Sequence, residues 1–134
     1  MSLQAYTSTN NCIYALCYHM VLVTKYRRKV LTGHMLDVAR DVLNARAAAP
    51  GGRVEEFGGE EDHIHLLVSL PPAVPVSVFA NAAKTGTSRR LRRDFPQLKK
   101  IGPALWSPSY FVTSCGGAPL ETIKEYVRSQ ARPE

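Results

Sequence analysis

Apolar and polar residues change period several times along this chain, and each change marks an element. From Tyr14 to Tyr26 the run is aromatic and β-branched with alternating character, which predicts a long strand packed on at least one face. Between Thr32 and Ala49 the apolar positions Met35, Val38, Ala39, Val42 and Leu43 recur at helical spacing, and Pro50-Gly51-Gly52 stops the run. Arg53 to Glu61 reads as a second strand and His63 to Leu70 as a third, closed by Pro71-Pro72. Gly58 and Gly59, followed by acidic residues, predict the turn of a hairpin between them. A second helix starts near Pro75, a favoured first-turn residue, and runs through Phe79, Ala83 and Leu91 to about Asp94, where Phe95-Pro96 breaks it. Trp106 to Cys115 reads as a fourth strand with Pro108 at its start or on an edge. Gly116-Gly117 then forms a flexible joint to a last helix over about 119–130.

The order is strand, helix, strand, strand, helix, strand, helix. Its first six elements match a split β-α-β pattern: a ferredoxin-like (RRM-like) α+β fold, an antiparallel sheet with helices on one face, to which the C-terminal helix is added. The 134 residues suffice for one domain, 1–134, with one core. Such an architecture hosts many functions and decides none.

Composition narrows the choice. Hydrophobic residues make up 45% and charged residues 21%, which suits a folded globule and not a disordered chain. Seventeen Lys and Arg against eleven Asp and Glu leave a net charge of +6, which favours a polyanionic partner. Placement sharpens this: Lys84, Arg89, Arg90, Arg92 and Arg93 crowd the second helix with no acid before Asp94, and Lys25, Arg27 and Arg28 end the first strand. These are the candidate nucleic-acid contacts. The three cysteines are odd in number and contain no C-x-x-C pair, so reduced packing residues in a cytoplasmic protein are expected, not a disulfide framework or a zinc site. No apolar stretch approaches the ~18 residues of a membrane span, and no basic segment followed by a hydrophobic one opens the chain, so neither membrane insertion nor export is expected.

Two short constellations carry candidate chemistry. In a strand, side chains alternate between faces, so His63 and His65 point the same way while Ile64 faces the core, and two imidazoles are placed to close on one cation. Asp62 is positioned to orient one of them. Alone, the pair more often marks a half-exposed, hydrogen-bonded strand than a metal site. His19 and His34 stand singly and read as packing or solvent-exposed residues. On the last helix Tyr126 and Gln130, four residues apart, share one face. A phenol titrating near 10 attacks poorly at neutral pH unless a cation or base favours the phenolate, and Gln130 would complete an oxygen-and-nitrogen site suited to Mg2+ or Mn2+. Taken singly, Tyr126 beside Ile123 and Val127 reads as a packing residue and Gln130 as a solvated one.

Together they form a recognisable set. Asp62-His63-Ile64-His65-Leu66-Leu67-Val68 resembles the HUH motif of the single-tyrosine transposases of bacterial insertion sequences that move as single strands, and of the related REP-associated tyrosine transposases. These families also carry a tyrosine and a glutamine four residues apart on a C-terminal helix. Further similarity lies in Val23 to Leu31, Leu105 to Val112 and the Lys84 to Arg93 helix, so it spans about Tyr14 to Gln130 in order. One difference is Glu61, where proline is more usual. The resemblance implies Tyr126 as nucleophile, a 5′-phosphotyrosine intermediate that needs no nucleotide cofactor, Mg2+ or Mn2+ on His63, His65 and Gln130, single-stranded DNA hairpins near element ends as partners, and a homodimer. Two other functions compete. A non-catalytic, domesticated nucleic-acid-binding module of the same fold would require none of the four residues, and a phosphoesterase using water would spare Tyr126 but generally needs a second histidine motif.

Overall fold

The computed structural model describes residues 7–8, 12–14, 16–114 and 120–130. Its elements are β1 Thr7–Ser8, β2 Ile13–Tyr14, β3 Cys17–Val23, α1 Gly33–Ala48, β4 Arg53–Glu60, β5 His63–Ser69, α2 Val76–Asp94, β6 Phe111–Ser114 and α3 Leu120–Ser129. β1 and β2 make a small separate ribbon, and the main sheet has the order β4-β5-β3-β6 with every pair antiparallel. This is the ferredoxin-like α+β arrangement that the element order predicts.

Strand alternation divides the molecule into two faces. Met20, Leu22, Ile64, Leu66 and Val68 point to one side, where they bury against Met35, Ala39 and Leu43 of α1 and Phe79, Ala83 and Leu91 of α2. Each such fully buried aliphatic side chain contributes roughly 1.5–3 kcal/mol relative to exposure. Val21 and Val23 point to the other side and meet Val127 of α3, with Phe111 and Tyr126 packed alongside. The core holding α1 and α2 is thus separate from the smaller one holding α3.

Local signals set the helix ends. Thr32 caps α1 by accepting from the Met35 N–H at 3.2 Å, and Gly51, at φ 98°, takes the left-handed position beyond its end while Gly51 and Gly52 donate back to Ala48 and Ala47. Trp106 is tied to α2 through its indole N–H, which donates to the buried Thr87 Oγ1 at 2.8 Å.

Several elements differ from expectation. Gly58 and Gly59 lie within β4, and the chain turns at Glu61-Asp62 instead; both glycines are extended, and what they have in common is crowding, not turning. The first long strand ends at Val23, because Tyr26 and Arg27 adopt left-handed backbone at φ 60° and 57° that cannot continue a ladder. The fourth strand is four residues long. Trp106 makes only an isolated bridge to Thr24, and Pro108, which has no N–H to donate, separates it from β6. Cys17 is disulfide-bonded, which corrects the reading of all three cysteines as reduced; an odd count excludes a framework of bridges, not one bridge. Cys12 is exposed. The Gly116-Gly117 joint and Cys115 lie outside the described residues. No described helix is long and apolar enough to cross a membrane.

Candidate active site

Pairing with β3 sets His65 opposite Val21 and His63 opposite Val23, so both imidazoles stand on the face away from α1 and α2. β4 completes the floor with Gly58 across from His65 and Glu60 across from His63. The two rings lie 6.1 Å apart between centroids with planes tilted by 30°, close enough to direct one nitrogen each at a shared ion. His63 Nδ1 is 2.8 Å from Asp62 Oδ1, and Arg27 Nε donates to Asp62 Oδ2 at 2.7 Å. Burial pushes the Asp62 carboxyl up, but the hydrogen bonds from His63 and Arg27, with their charges, outweigh it and hold the group below its ordinary value. An ionised Asp62 keeps the His63 proton on Nδ1 and leaves Nε2 as a lone pair for a cation. His65 is pushed down by burial and by its histidine neighbours His63 and His19, which favours the neutral, ligating form.

Arg27 reaches Asp62 because the chain after β3 is bent sharply. The Thr24 N–H donates to the Asp62 carbonyl at 3.0 Å, and its hydroxyl donates to the Arg28 carbonyl at 2.7 Å with the Asp62 carbonyl also near, at 3.2 Å. The Arg27 N–H closes the turn on the Thr24 carbonyl at 2.8 Å. Two consecutive non-glycine residues in left-handed backbone cost on the order of 1–2 kcal/mol each, and here they aim one guanidinium at the carboxylate behind His63.

α3 brings the tyrosine and glutamine to the same sheet face. Val127 is buried against Val21 and Val23, and the Tyr126 ring sits 5.3 Å from that of Phe111. The Tyr126 hydroxyl is 3.0 Å from Ser109 Oγ, and Gln130 Oε1 accepts from Ser107 Oγ at 2.7 Å and from Ser109 Oγ at 3.3 Å. The four-residue spacing therefore does align the two side chains, and they stand over β3 and the segment leading to β6, whereas the histidines stand on β5. Burial pushes the phenol up, tempered by the Ser109 hydrogen bond. Between α3 and the β4–β5 turn opens a cleft of about 370 Å³ in which the cations Arg27, Lys29 and Arg128 face the carboxylates Glu60, Glu61 and Asp62, with His63 and Val127 completing the walls. Among the described residues no three His, Cys, Asp or Glu side chains converge on a point, so a third ligand within these residues would be of another type, such as the amide of Gln130.

The basic residues singled out as DNA contacts divide between two places. Arg27 lines the cleft. Arg28 donates to the Ile101 carbonyl, and the Lys25 ammonium lies 5.5 Å from the Tyr26 ring centroid. Lys84 donates to the Pro108 carbonyl and Arg92 to the Gly102 carbonyl, while Arg90 and Arg93 pair with Asp94. Arg89 belongs to the same helix, α2, which packs on the opposite side of the sheet from α3.

Sequence reasoning passed over four residues that the fold brings to this face. His19, which stands singly in the sequence and reads as packing or solvent-exposed, has its ring 6.0 Å from His65; its shared parity with Val21 and Val23 was a usable signal once the strand's inward side was known. Ser107 and Ser109 hold Gln130 and Tyr126, but they lie in a segment read as strand and carry no spacing signature. Arg128 follows Val127 into the cleft.

An antiparallel ferredoxin-like sheet with two helices on one face, and a tyrosine-bearing helix and a histidine pair on the other, has the fold of transposases. It is similar to a crystal structure of a transposase from Deinococcus radiodurans R1, with TM-score 0.87 and 30% identity over 95% of this chain and 99% of that one. It also shares its fold with a REP-associated tyrosine transposase bound to a REP hairpin, at TM-score 0.55 and 12% identity over 84% of this chain and 62% of that one. Residues 12–130 match the family described as "Transposase IS200 like", and the chain belongs to it. Relatives include the ISDra2 transposase TnpA of Deinococcus radiodurans, 36% identical over 120 residues (88% of this chain, 86% of that protein). The IS200 transposase of Salmonella typhimurium is 30% identical over 115 residues, 84% of this chain and 75% of that one.

Proposed function

We propose that this transposase cleaves and rejoins single-stranded DNA at the ends of an insertion sequence, with Tyr126 as nucleophile and with Mg2+ or Mn2+ held by His63, His65 and Gln130. The observation that carries the reading is the shared face: a helix bearing the family's tyrosine and glutamine packs through Val127 on the side of the sheet where two imidazoles stand unburied by the main core. The donor set fits a divalent cation, since Asp62 fixes the His63 tautomer and His65 is kept neutral.

In the proposed reaction the Tyr126 oxygen bonds to a DNA phosphorus and the bond from that phosphorus to the 3′ oxygen breaks. The phenol loses its proton and the departing oxygen gains one, leaving a free 3′-hydroxyl and a 5′-phosphotyrosine. A second end's 3′-hydroxyl reverses the exchange, so no nucleotide cofactor is required. A bound divalent cation would supply Lewis acidity at the scissile phosphate. Arg27, Lys29 and Arg128 would meet the DNA backbone in the cleft beside His63, whose other wall carries Glu60, Glu61 and Asp62, while the cations of α2 would hold a separate part of the DNA, such as a hairpin stem. One nucleophilic tyrosine per chain and two ends to process favour a homodimer. Release of the Tyr126 hydroxyl from Ser109 would precede attack, within one subunit or across the pair.

The test is incubation with single-stranded DNA from the element's own ends and Mg2+ or Mn2+. A covalent protein–DNA band is expected, lost in Tyr126→Phe while DNA binding survives, with most cleavage lost in His63→Ala. An adduct persisting in Tyr126→Phe would remove Tyr126 from its role. Binding without cleavage by the unaltered protein would favour a non-catalytic module, and cleavage without an adduct would favour water attack.

A further inference from the structure

Two adjacent glycines in the middle of a strand weaken it, so their presence in β4 asks for a cause. Backbone conformation is not the cause, because neither Gly58 nor Gly59 has positive φ. Gly59 faces the core. A Cβ there would lie 2.9 Å from the His63 carbonyl oxygen and 2.9 Å from Leu36 Cδ2, so its reason is the close seat of α1 on the sheet. Gly58 faces the other way and meets something different. A Cβ built on it would lie 2.7 Å from His65 Nε2 and 2.8 Å from Cε1, with Cδ2 of the same ring next at 3.7 Å. All three nearest atoms belong to one imidazole. The ring therefore leans over β4 into the space that a side chain at position 58 would fill.

The opposite flank is also occupied. The His19 ring, from β3, lies 6.0 Å from that of His65 at 68°, edge to face, so His65 stands in a slot between a glycine and a histidine. In that slot it holds its 6.1 Å spacing and 30° tilt to His63. We infer that Gly58 is a positioning residue for the histidine pair: its missing side chain lets His65 take the orientation in which it can share a cation with His63. The inference rests on the reading that this pair binds a divalent metal. A methyl group at position 58 would press on the far end of a side chain, not on backbone, so the least costly response is rotation of His65 while the sheet keeps its register.

The experiment is Gly58→Ala in the full chain. With only four histidines in the protein, long-range proton–nitrogen correlation spectra of the metal-free protein resolve each imidazole. The His65 signals should move while those of His34, on α1, stay in place. Mn2+ affinity, read by electron paramagnetic resonance of the free ion, should fall by roughly tenfold to a hundredfold, the usual effect of disturbing a ligand's support. The double variant Gly58→Ala/His65→Ala should melt no lower than His65→Ala alone, because the obstruction is gone and alanine suits a strand better than glycine. Unchanged His65 signals in Gly58→Ala overturn the inference. So does a double variant that remains unfolded or destabilised, since the glycine would then serve the backbone. If the unaltered protein shows no Mn2+ broadening of His63 and His65, the proposed metal site fails, and the metal-free spectra still decide whether Gly58 places the ring.

Discussion

Replacing Arg27 separates two costs that meet at one residue. Arg27→Ala removes the guanidinium from Asp62, whose side chain is only 8% exposed, but keeps the left-handed backbone at φ 57°. A hydrogen bond to a charged group is worth about 1.5–3 kcal/mol. The Arg27 side chain is 33% exposed and partly screened, which brings the expected loss to about 1–2 kcal/mol. Arg27→Gly loses the same contact and relieves about 1–2 kcal/mol of left-handed strain, against about 0.5–1 kcal/mol of added unfolded-state entropy. Glycine should therefore be less harmful than alanine by up to about 1.5 kcal/mol. In a domain of this size 1 kcal/mol moves the melting midpoint by roughly 4 °C, so alanine should lower it by roughly 4–8 °C and glycine should fall between. Thermal melts at several pH values read the result. Asp62 titrates below its ordinary 3.8 in the fold, so its contribution is present above that value and is lost as pH falls through the folded one. The gap between unaltered protein and alanine variant should thus be full at pH 7 and close in strong acid. Melting of Arg27→Ala within 1 °C of the unaltered protein at pH 7, or a gap equally large in strong acid, would refute the account of the pair; alanine outlasting glycine would refute the account of the strain.

Thr87→Val leaves the buried Trp106 indole N–H without its acceptor and should cost about 1–3 kcal/mol in chemical denaturation, whereas Thr87→Ser should cost far less. Because burial raises the Tyr126 phenol, adduct formation at saturating metal should climb with pH through the neutral range, and a rate independent of pH would contradict this; Ser109→Ala, which removes the contact the phenol must break before it attacks, should leave the rate unchanged or raise it, and a severalfold loss would contradict that release. Lys29→Ala and Arg128→Ala should each lower the slope of log affinity for single-stranded DNA against log salt by about 0.7 if both cleft residues contact phosphates, and an unchanged slope would remove them from the interface.

Most of the frame was legible from periodicity. Alternation in His63–Ser69 told both the strand and its two faces, and the 3.6-residue pattern around Met35, Ala39 and Leu43 told α1, because those signals are written within one element. What was missed depends on contacts between elements. Gly58-Gly59 looks like a turn because glycine most often serves backbone freedom, and only the cross-strand partner, His65, reveals that it serves space. Arg27 looks like one more cation in a basic run, since the bend that aims it at Asp62 uses left-handed residues other than the glycine or asparagine that would announce it. The residue types of the site were readable, while the residues that hold them in place belong to neighbouring strands.

The two faces of the sheet solve different problems with the same strands. Even-numbered positions of β3 and β5, such as Leu22, Ile64 and Leu66, supply the stability under α1 and α2, so the odd positions His19, His63 and His65 are released from any packing duty that imidazoles perform poorly. Among the described residues α3 meets that second face at Val127, packed on Val21 and Val23 with Phe111 and Tyr126 alongside, a cluster distinct from the main core. The proposed chemistry asks different things of the two partners, because the phenol must leave Ser109 and meet a phosphate beside His63, while the histidines must keep their places. The histidines are therefore built into the sheet, braced by Gly58, His19 and the Arg27–Asp62 pair, and the tyrosine comes from a helix laid on top of it.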